Sequence, residues 1–456
     1  MMGERKECQA ALFYEFSLED HVPSNHLLRS IDRFVDLSEI RTHLRPFYSD
    51  IGRPSVDPEL MIRMLLIGHI MGIRSERRLC EEVHLNLAYR WFCRTDLGDP
   101  VPDQSTFLKN RHGRFRESDL LRQLFESVVA RCIEEGLVGG DVFAADASII
   151  RADANKQNAT PRQEWDPATL DPQAVPRAVK EYLDVLDDAA FGAASEVEPK
   201  FTSHSDPASQ WTGALKGPAF LAYANNYLID TDNAIIVDVE ASRAIRQAEV
   251  GATRTMIRRT RDRFGLSPDI LAADQAYGSA ENLNWLLEEE GIEPHIPVFD
   301  KSKRLDGAFP NTVFTFDHEA NEYVCPGDKR LKKYWRKMTK PRSGISKDGF
   351  IRYYARKGDC SACSLKAKCT PNQPARKIAR HIYEGARDLA REIATTDAYA
   401  DTQRRRKKIE MLFAHLKRIL KLDRLRLRGP NGAKDEFHLA ATAQNLRKLA
   451  KLIPQP

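Results

Sequence analysis

The sequence predicts an α/β protein: an all-helical N-terminal part, then a unit of strands and helices, with a small basic segment rich in cysteine set inside it. Three observations carry this. Apolar residues recur at helical spacing up to about residue 136, the pattern turns to strand-like alternation from Gly139, and cations and cysteines crowd the stretch from Cys325 to Cys369. At 456 residues the chain is too long for one ordinary core, so two or three domains are expected. With 42% hydrophobic and 30% charged residues, it reads as a soluble globular protein. The longest apolar run, Leu60 to Ile73, is interrupted by Arg63 and His69. It is shorter than the ~20 residues of a spanning helix, so no membrane association is expected. The polar opening MMGERKECQA lacks an apolar signal core, and the expected address is cytoplasmic.

In the helical part, Asp57 followed by Pro58 pairs an N-cap with proline at the first helical position, launching a helix from Pro58 to Met71. Further helices are expected from about Ser75 to Phe92, Asp103 to Phe115, and Ser118 to Glu135, the last closed by Gly136. Arg74, Arg77, Arg78, Arg90, Arg94, Lys109, Arg111 and Arg114 recur along them. Two readings stay open: a bundle with solvated arginines, or a helix-turn-helix-like DNA reader.

GGDVFAADASII then alternates as a strand with Asp146 on one face. FLAYANNYLID and AIIVDVE read as two strands turning at Asp230 to Asn233, and a basic helix follows from about Glu249 to Phe264. DILAADQAYGS places a strand ending at Asp274, ahead of a helix from about Ala280 to Glu290 and a short strand in EPHIPVF. This order makes an α/β unit and not a sandwich. Residues 166 to 200 hold eight acids and three bases, which reads as an acidic linker or surface insertion.

The stretch RRRKKIEMLFAHLK sets Glu410 among cations. At about 100° per residue, Arg406 and Glu410 lie about 40° apart on a helix and Lys417 falls between them. Ile409, Leu412, Phe413, Leu416 and Leu420 form a neighbouring apolar stripe. A lone acid among bases is ordinarily a solvated ion pair, and a single Asp at a strand end is ordinarily a turn residue. Asp146 and Asp274, both among small alanines, and Glu410 on a late helix are more telling together. Carboxylates are hard donors suited to Mg²⁺ or Mn²⁺, and two such ions can serve phosphodiester chemistry.

Charge points the same way. Eleven Lys/Arg against two acids lie between Arg404 and Arg428, and fourteen against three between Cys325 and Cys369. The second stretch is interleaved with Tyr334, Trp335, Phe350, Tyr353 and Tyr354. Cations that displace counterions and rings that stack on bases suit a nucleic acid.

At these residues the chain resembles bacterial insertion-sequence transposases of the DDE type. The likeness rests on AADASIIRADAN around Asp146, LAADQAYGS around Asp274, and R-x3-E-x6-K at Arg406, Glu410 and Lys417, followed by LRGP and QNLRKL. HVPSNHLLRSIDRFVDLS, GRPSVDPELMIRMLLIGHIMGIRSERRL and PDQSTF add to it near the N-terminus. The resemblance implies a ribonuclease H-like mixed sheet with flanking helices, preceded by an all-α domain. It implies Asp146, Asp274 and Glu410 as catalytic ligands of two Mg²⁺ or Mn²⁺ ions, and Arg406 and Lys417 as binders of DNA phosphate. The partners implied are inverted-repeat ends and target DNA, with a homo-oligomer in the DNA complex. On this reading the domains run 1–136 (helical, DNA-binding), 137–300 (catalytic core, with an acidic insertion at about 160–215), 301–385 (basic insertion) and 386–456 (rest of the core). Two departures stand out: Gln403 where the family often has Tyr, and Ala276 where it often has Gly.

Cys325, Cys360, Cys363 and Cys369 give C-x34-C-x2-C-x5-C, compatible with a structural Zn²⁺ site or with free thiols. Cys8, Cys80, Cys93 and Cys132 are scattered and read as free thiols. No P-loop or G-x-G-x-x-G is present. Ser203, His204 and Asp206 in TSHSDP lie too close in sequence to argue for a hydrolase triad and read as a loop with an Asp-Pro turn. The function expected is metal-dependent DNA cleavage and strand transfer. The alternatives are another ribonuclease H-like DNA nuclease, or a catalytically silent DNA-binding protein of transposase descent.

Overall fold

A computed structural model describes residues 16–49, 51, 55–171, 173–186, 188, 190–191, 199–213, 217–299, 308–335 and 343–454. Cys8, part of the GRPSV phrase, and parts of the acidic and basic segments lie outside these. The chain divides into two compact units, one of residues 1–140, 146–267 and 407–456, the other of residues 141–145 and 268–406.

In the first unit Asp57 caps the helix Pro58–Ile70, its carboxylate accepting from the Glu59 amide at 3.0 Å. The helix is buried almost all round, so its two polar interruptions need partners. Arg63 donates to Asp32 at 2.7 Å and to the Phe92 carbonyl, and His69 bonds the Leu65 carbonyl. The expected helix from Ser75 to Phe92 is two helices, Glu76–Leu85 and Leu87–Phe92. Asn86 breaks it: its backbone is extended and its side chain accepts from the Tyr89 amide, a local cap that competes with helix continuation. Gly113 likewise separates Gln104–His112 from Arg114–Glu117. Leu120–Glu134 follows as expected, with Gly136 at positive φ just beyond its end.

Strand β1 (Val142–Arg151) enters this unit at Asp146. The other strands of its sheet here are β2 (Gln210–Thr212), β3 (Phe220–Asp230) and β4 (Ile235–Arg243). β3 neighbours β1, and the Ala152 amide just past β1 donates to the Leu221 carbonyl at 2.9 Å. β3 and β4 form an antiparallel hairpin with an irregularity at Leu228/Ile229, and β2 pairs with the start of β3. The closing helix Gly429–Leu452 is buried along most of its length. Its Asn445 amide takes both backbone groups of Ile236, satisfying β4 as a neighbouring strand would. Part of the acidic segment is built in, not solvated. Helix Arg177–Leu183 buries Ala178, Val179 and Tyr182, and its Glu181 accepts from Arg116 at 2.7 Å.

In the second unit the start of β1 runs parallel to β5 (Ile270–Ala272), which runs parallel to β6 (Glu293–His295). Parallel neighbours need a crossover, and Ala280–Asn284 with its π-helical continuation Trp285–Glu290 supplies the one from β5 to β6. With the antiparallel strands around β3, the protein is a mixed α/β fold with many helices. The cysteine-rich part holds a three-stranded sheet of β7 (Thr315–Asp317), β8 (Glu322–Val324) and β9 (Arg330–Leu331), and a two-stranded ladder of β10 (Phe350–Tyr354) and β11 (Lys377–His381). Helix Glu384–Ile393 packs on the crossover and on β6. The helix Asp397–Arg418 begins in this unit and passes to the first after Arg406. Among the described residues no helix is long and apolar enough to cross a membrane.

Candidate active site and thiol cluster

Asp146 sits partway along β1, half-buried, directly after the fully buried Phe143, Ala144 and Ala145. Its carboxylate accepts from the Ala147 amide at 2.8 Å, which fixes the side chain close to its own strand. Asp274 follows β5 and is also half-buried; it accepts from the Ala276 amide at 2.8 Å and so opens the turn Gln275–Tyr277. Gly278 ends that turn where a Cβ would lie 2.0 Å from the Pro297 carbonyl oxygen. Glycine is therefore required there by close backbone approach.

Glu410 is exposed on the helix Asp397–Arg418, while Ile409, Leu412, Leu416 and Leu420 of the apolar stripe are buried. Arg406, one turn before Glu410, bonds Gln403 at 3.4 Å. Gln403 in turn donates to the His295 carbonyl at 3.0 Å, tying the helix to β6. Gln403, at this departure from the family pattern, thus links Arg406 to β6. Lys417 donates to the Ile149 carbonyl of β1 at 3.2 Å, three residues beyond Asp146. Burial pulls its ammonium below the ordinary lysine range, and Asp423 partly offsets this.

A further ion pair was not visible in the sequence. Arg424 donates to the Asp153 carboxylate at 2.7 Å, and Arg428 to the same carboxylate at 3.0 Å. Beside it, the Leu425 amide donates to the Arg151 carbonyl at 2.8 Å. The phrase around Asp146 and the phrase ending LRGP are held together here. Co-occurrence of Asp153 and these arginines in two marked phrases was the only available signal.

Of the basic residues on the N-terminal helices, several are neither solvated nor presented to a ligand. Arg111 is buried and donates to Glu76 at 2.6 Å; Arg90 is buried and bonds backbone carbonyls around Asp99; Arg74 pairs with buried Glu436. Arg114 donates to the Phe47 carbonyl and covers the Tyr48 ring. These are structural cations. Nothing in their placement singles out a recognition helix.

Asp206 of TSHSDP is fully buried and accepts from the Tyr223 hydroxyl at 2.5 Å, while His204 is exposed. Burial pushes the Asp206 carboxyl up to about 7, against the Tyr223 hydrogen bond and the Gly429 amide. This is a core carboxyl group and not a hydrolase triad.

Cys325, Cys360, Cys363 and Cys369 are reduced and half-buried. A Cβ on Gly327 would lie 3.7 Å from the sulfurs of both Cys325 and Cys363. Burial pushes the Cys369 thiol up, Arg376 draws it down, and the charges of the other three cysteines push it up again. Among the described residues no three His, Cys, Asp or Glu side chains stand in an arrangement that could hold a metal ion. For the carboxylates, the chemistry of the donor set nonetheless fits a hard divalent cation.

Two family models match the chain. Residues 16–113 match a transposase domain (DUF772), covering the helices from Leu18 to His112. Residues 324–450 match a transposase DDE domain, a span that contains Arg406, Glu410, Lys417 and the four clustered cysteines. Asp146 and Asp274 lie outside both matched segments. With its helical part and its Glu410 helix each matched to a transposase model, the chain belongs to the insertion-sequence transposases of the DDE type.

Proposed function

We propose that this transposase cleaves DNA at the inverted-repeat ends of an insertion sequence and joins them to target DNA. Asp146, Asp274 and Glu410 act as its catalytic carboxylates, in a ribonuclease H-like core. The observation that carries the reading is Lys417: it lies in the matched DDE segment on the helix of Glu410, and it bonds β1 three residues past Asp146. Two sequence motifs 268 residues apart are thereby joined in one hydrogen bond.

Asp146, Asp274 and Glu410 would hold Mg²⁺ or Mn²⁺, which would supply Lewis acidity for phosphodiester cleavage. The carboxylates have to be ionised for this role. Arg406 opposes phosphate charge through a fork of donors, and Lys417 through a point charge that its bond to Ile149 aims. Water attacks the phosphorus at the element end and releases a 3′-hydroxyl; that hydroxyl then attacks target DNA, so no protein nucleophile is consumed. Joining two ends calls for at least two copies of the chain.

The test is end-specific cleavage in Mg²⁺ or Mn²⁺ by the intact protein and by Glu410→Gln. Nicks at the repeats that vanish in the variant, with DNA binding kept, support the assignment. Equal cleavage by the variant refutes the role of Glu410. Cutting without regard to the repeats makes the protein a general nuclease, and binding without cutting makes it a silent DNA-binding descendant.

A further inference from the structure

The cysteine-rich part has a small core to hold it. Phe314, Tyr323, Leu331, Tyr353, Ala355 and Ile378 form its buried centre, on or directly beside short strands of two to five residues. Segments this poor in apolar residues are usually stapled by something other than hydrophobic burial. Cys325, Cys360 and Cys369 all pack against this same core, from three separate places in the chain.

Each cysteine is backbone-positioned. Cys325 opens a tight turn after β8: its amide donates to the Lys329 carbonyl, the Asp328 amide donates back to its carbonyl, and Asp328 takes a positive φ. Inside the turn the Lys329 amide donates to the Cys325 sulfur at 3.3 Å, which holds that sulfur on the inner side of the turn. Cys360 lies on the helix Lys357–Ser361 and Cys363 just past its end, with the Cys363 amide directed at the Cys360 carbonyl. Cys369 ends the short helix Lys366–Cys369, and its carbonyl accepts from the buried Arg376 at 2.8 Å. Arg376 also bonds the Phe309 carbonyl and Asn311, fixing that helix end to the start of the segment.

Gly327 joins the two sides. The sulfur of the turn cysteine and the sulfur of Cys363 border the same point beside it, where a side chain would intrude. We infer that Cys325, Cys360, Cys363 and Cys369 are the ligands of one structural Zn²⁺ ion, which staples the turn after β8 to the helices that follow β10. Four thiolates at about 2.3 Å make the closed tetrahedral shell typical of structural zinc, with no position left for water. The four side chains do not already stand as a metal shell among the described residues, so binding would have to bring the sulfurs together as each thiol loses its proton to solvent.

The experiment is metal analysis of the full-length protein purified without chelator, together with its Co²⁺-substituted form. One zinc per chain, and a cobalt spectrum with thiolate charge-transfer bands and tetrahedral d–d bands, support the inference. The double variant Cys360→Ser/Cys363→Ser is expected to lose at least tenfold in zinc affinity, while Cys80→Ser, from the other unit, keeps it. Metal-free protein whose four thiols all react with a thiol reagent in the folded state overturns the inference. So does an iron–sulfur chromophore, or a double variant that retains one tightly held zinc. None of these readouts depends on cleavage activity.

Discussion

Replacing Asp206 by Asn tests whether the first unit carries a protonated carboxyl group in its core. Asp206 is fully buried, and burial raises its carboxyl to about 7 from an ordinary value of 3.8. An acid raised in the folded state binds a proton that the unfolded chain has already released. Stability is therefore greatest below the unfolded pKa and falls as pH rises through the folded one. A shift of about three units corresponds to about 4 kcal/mol over the whole range, of which about 2.5 kcal/mol falls between pH 5 and pH 8. Asparagine does not titrate and can still accept the Tyr223 hydroxyl through its carbonyl. Its amide adds a buried donor in place of the second carboxylate oxygen, at a cost of about 1–3 kcal/mol that does not vary with pH. Urea unfolding of both proteins at pH 5 and pH 8 separates the two effects. The stability of the variant relative to wild type should rise by about 2.5 kcal/mol from pH 5 to pH 8. A difference that stays constant across that range refutes the buried proton.

Lys417→Met keeps the packed stem and removes the bond to Ile149. It should cost about 1 kcal/mol in stability and lower end cleavage about 100-fold; unchanged cleavage would make Lys417 a structural clamp only. Gly278→Ala places a Cβ against the Pro297 carbonyl and the Phe299 amide, so the turn opened by Asp274 has to move. A loss of about 1–3 kcal/mol in thermal unfolding is expected, with cleavage falling further than stability explains. Asp153→Ala frees two half-exposed arginines, and exposed pairs of this kind are worth about 1 kcal/mol or less. If those arginines reach DNA, the slope of log affinity against log salt should steepen by up to about 1.8; an unchanged slope keeps them off the phosphates.

Elements with strong local periodicity were legible in the sequence. The strand Phe220–Asp230, buried on both faces, was legible as a short run rich in apolar and aromatic residues, and the apolar stripe of the Glu410 helix needed only helical spacing. Where a single side chain decided the backbone, the reading failed. Asn86 split an expected helix because its side chain could satisfy the Tyr89 amide, and no count of apolar residues reports that. The acids of residues 166–200 suggested a linker or surface insertion, yet Glu181 finds Arg116, 65 residues away. Asp206 is the turn residue its proline neighbour suggested, its carbonyl accepting from the Ser209 amide, but its burial depends on Tyr223 on the strand Phe220–Asp230. Long-range partners of charged groups are what local patterns omit.

The same omission bears on how basic segments are read. Between Arg404 and Arg428 the sequence offers eleven cations, as though a polyanion could engage them all. In the folded chain Arg405 bonds Asp401 at 2.9 Å, Lys417 is committed to a strand carbonyl, and Arg424 and Arg428 converge on Asp153. Arg111 and Arg74 of the N-terminal part hold the buried or half-buried acids Glu76 and Glu436. A cation already paired with an acid releases no net counterion when it merely exchanges that acid for a phosphate, so it adds little to the salt dependence of binding. The number of phosphates this transposase neutralises should therefore be well below its count of Lys and Arg. The Asp153 pair matters for the same reason: it sets two arginines at fixed positions beside the strand of Asp146, and in such a place a cation contributes orientation more than affinity.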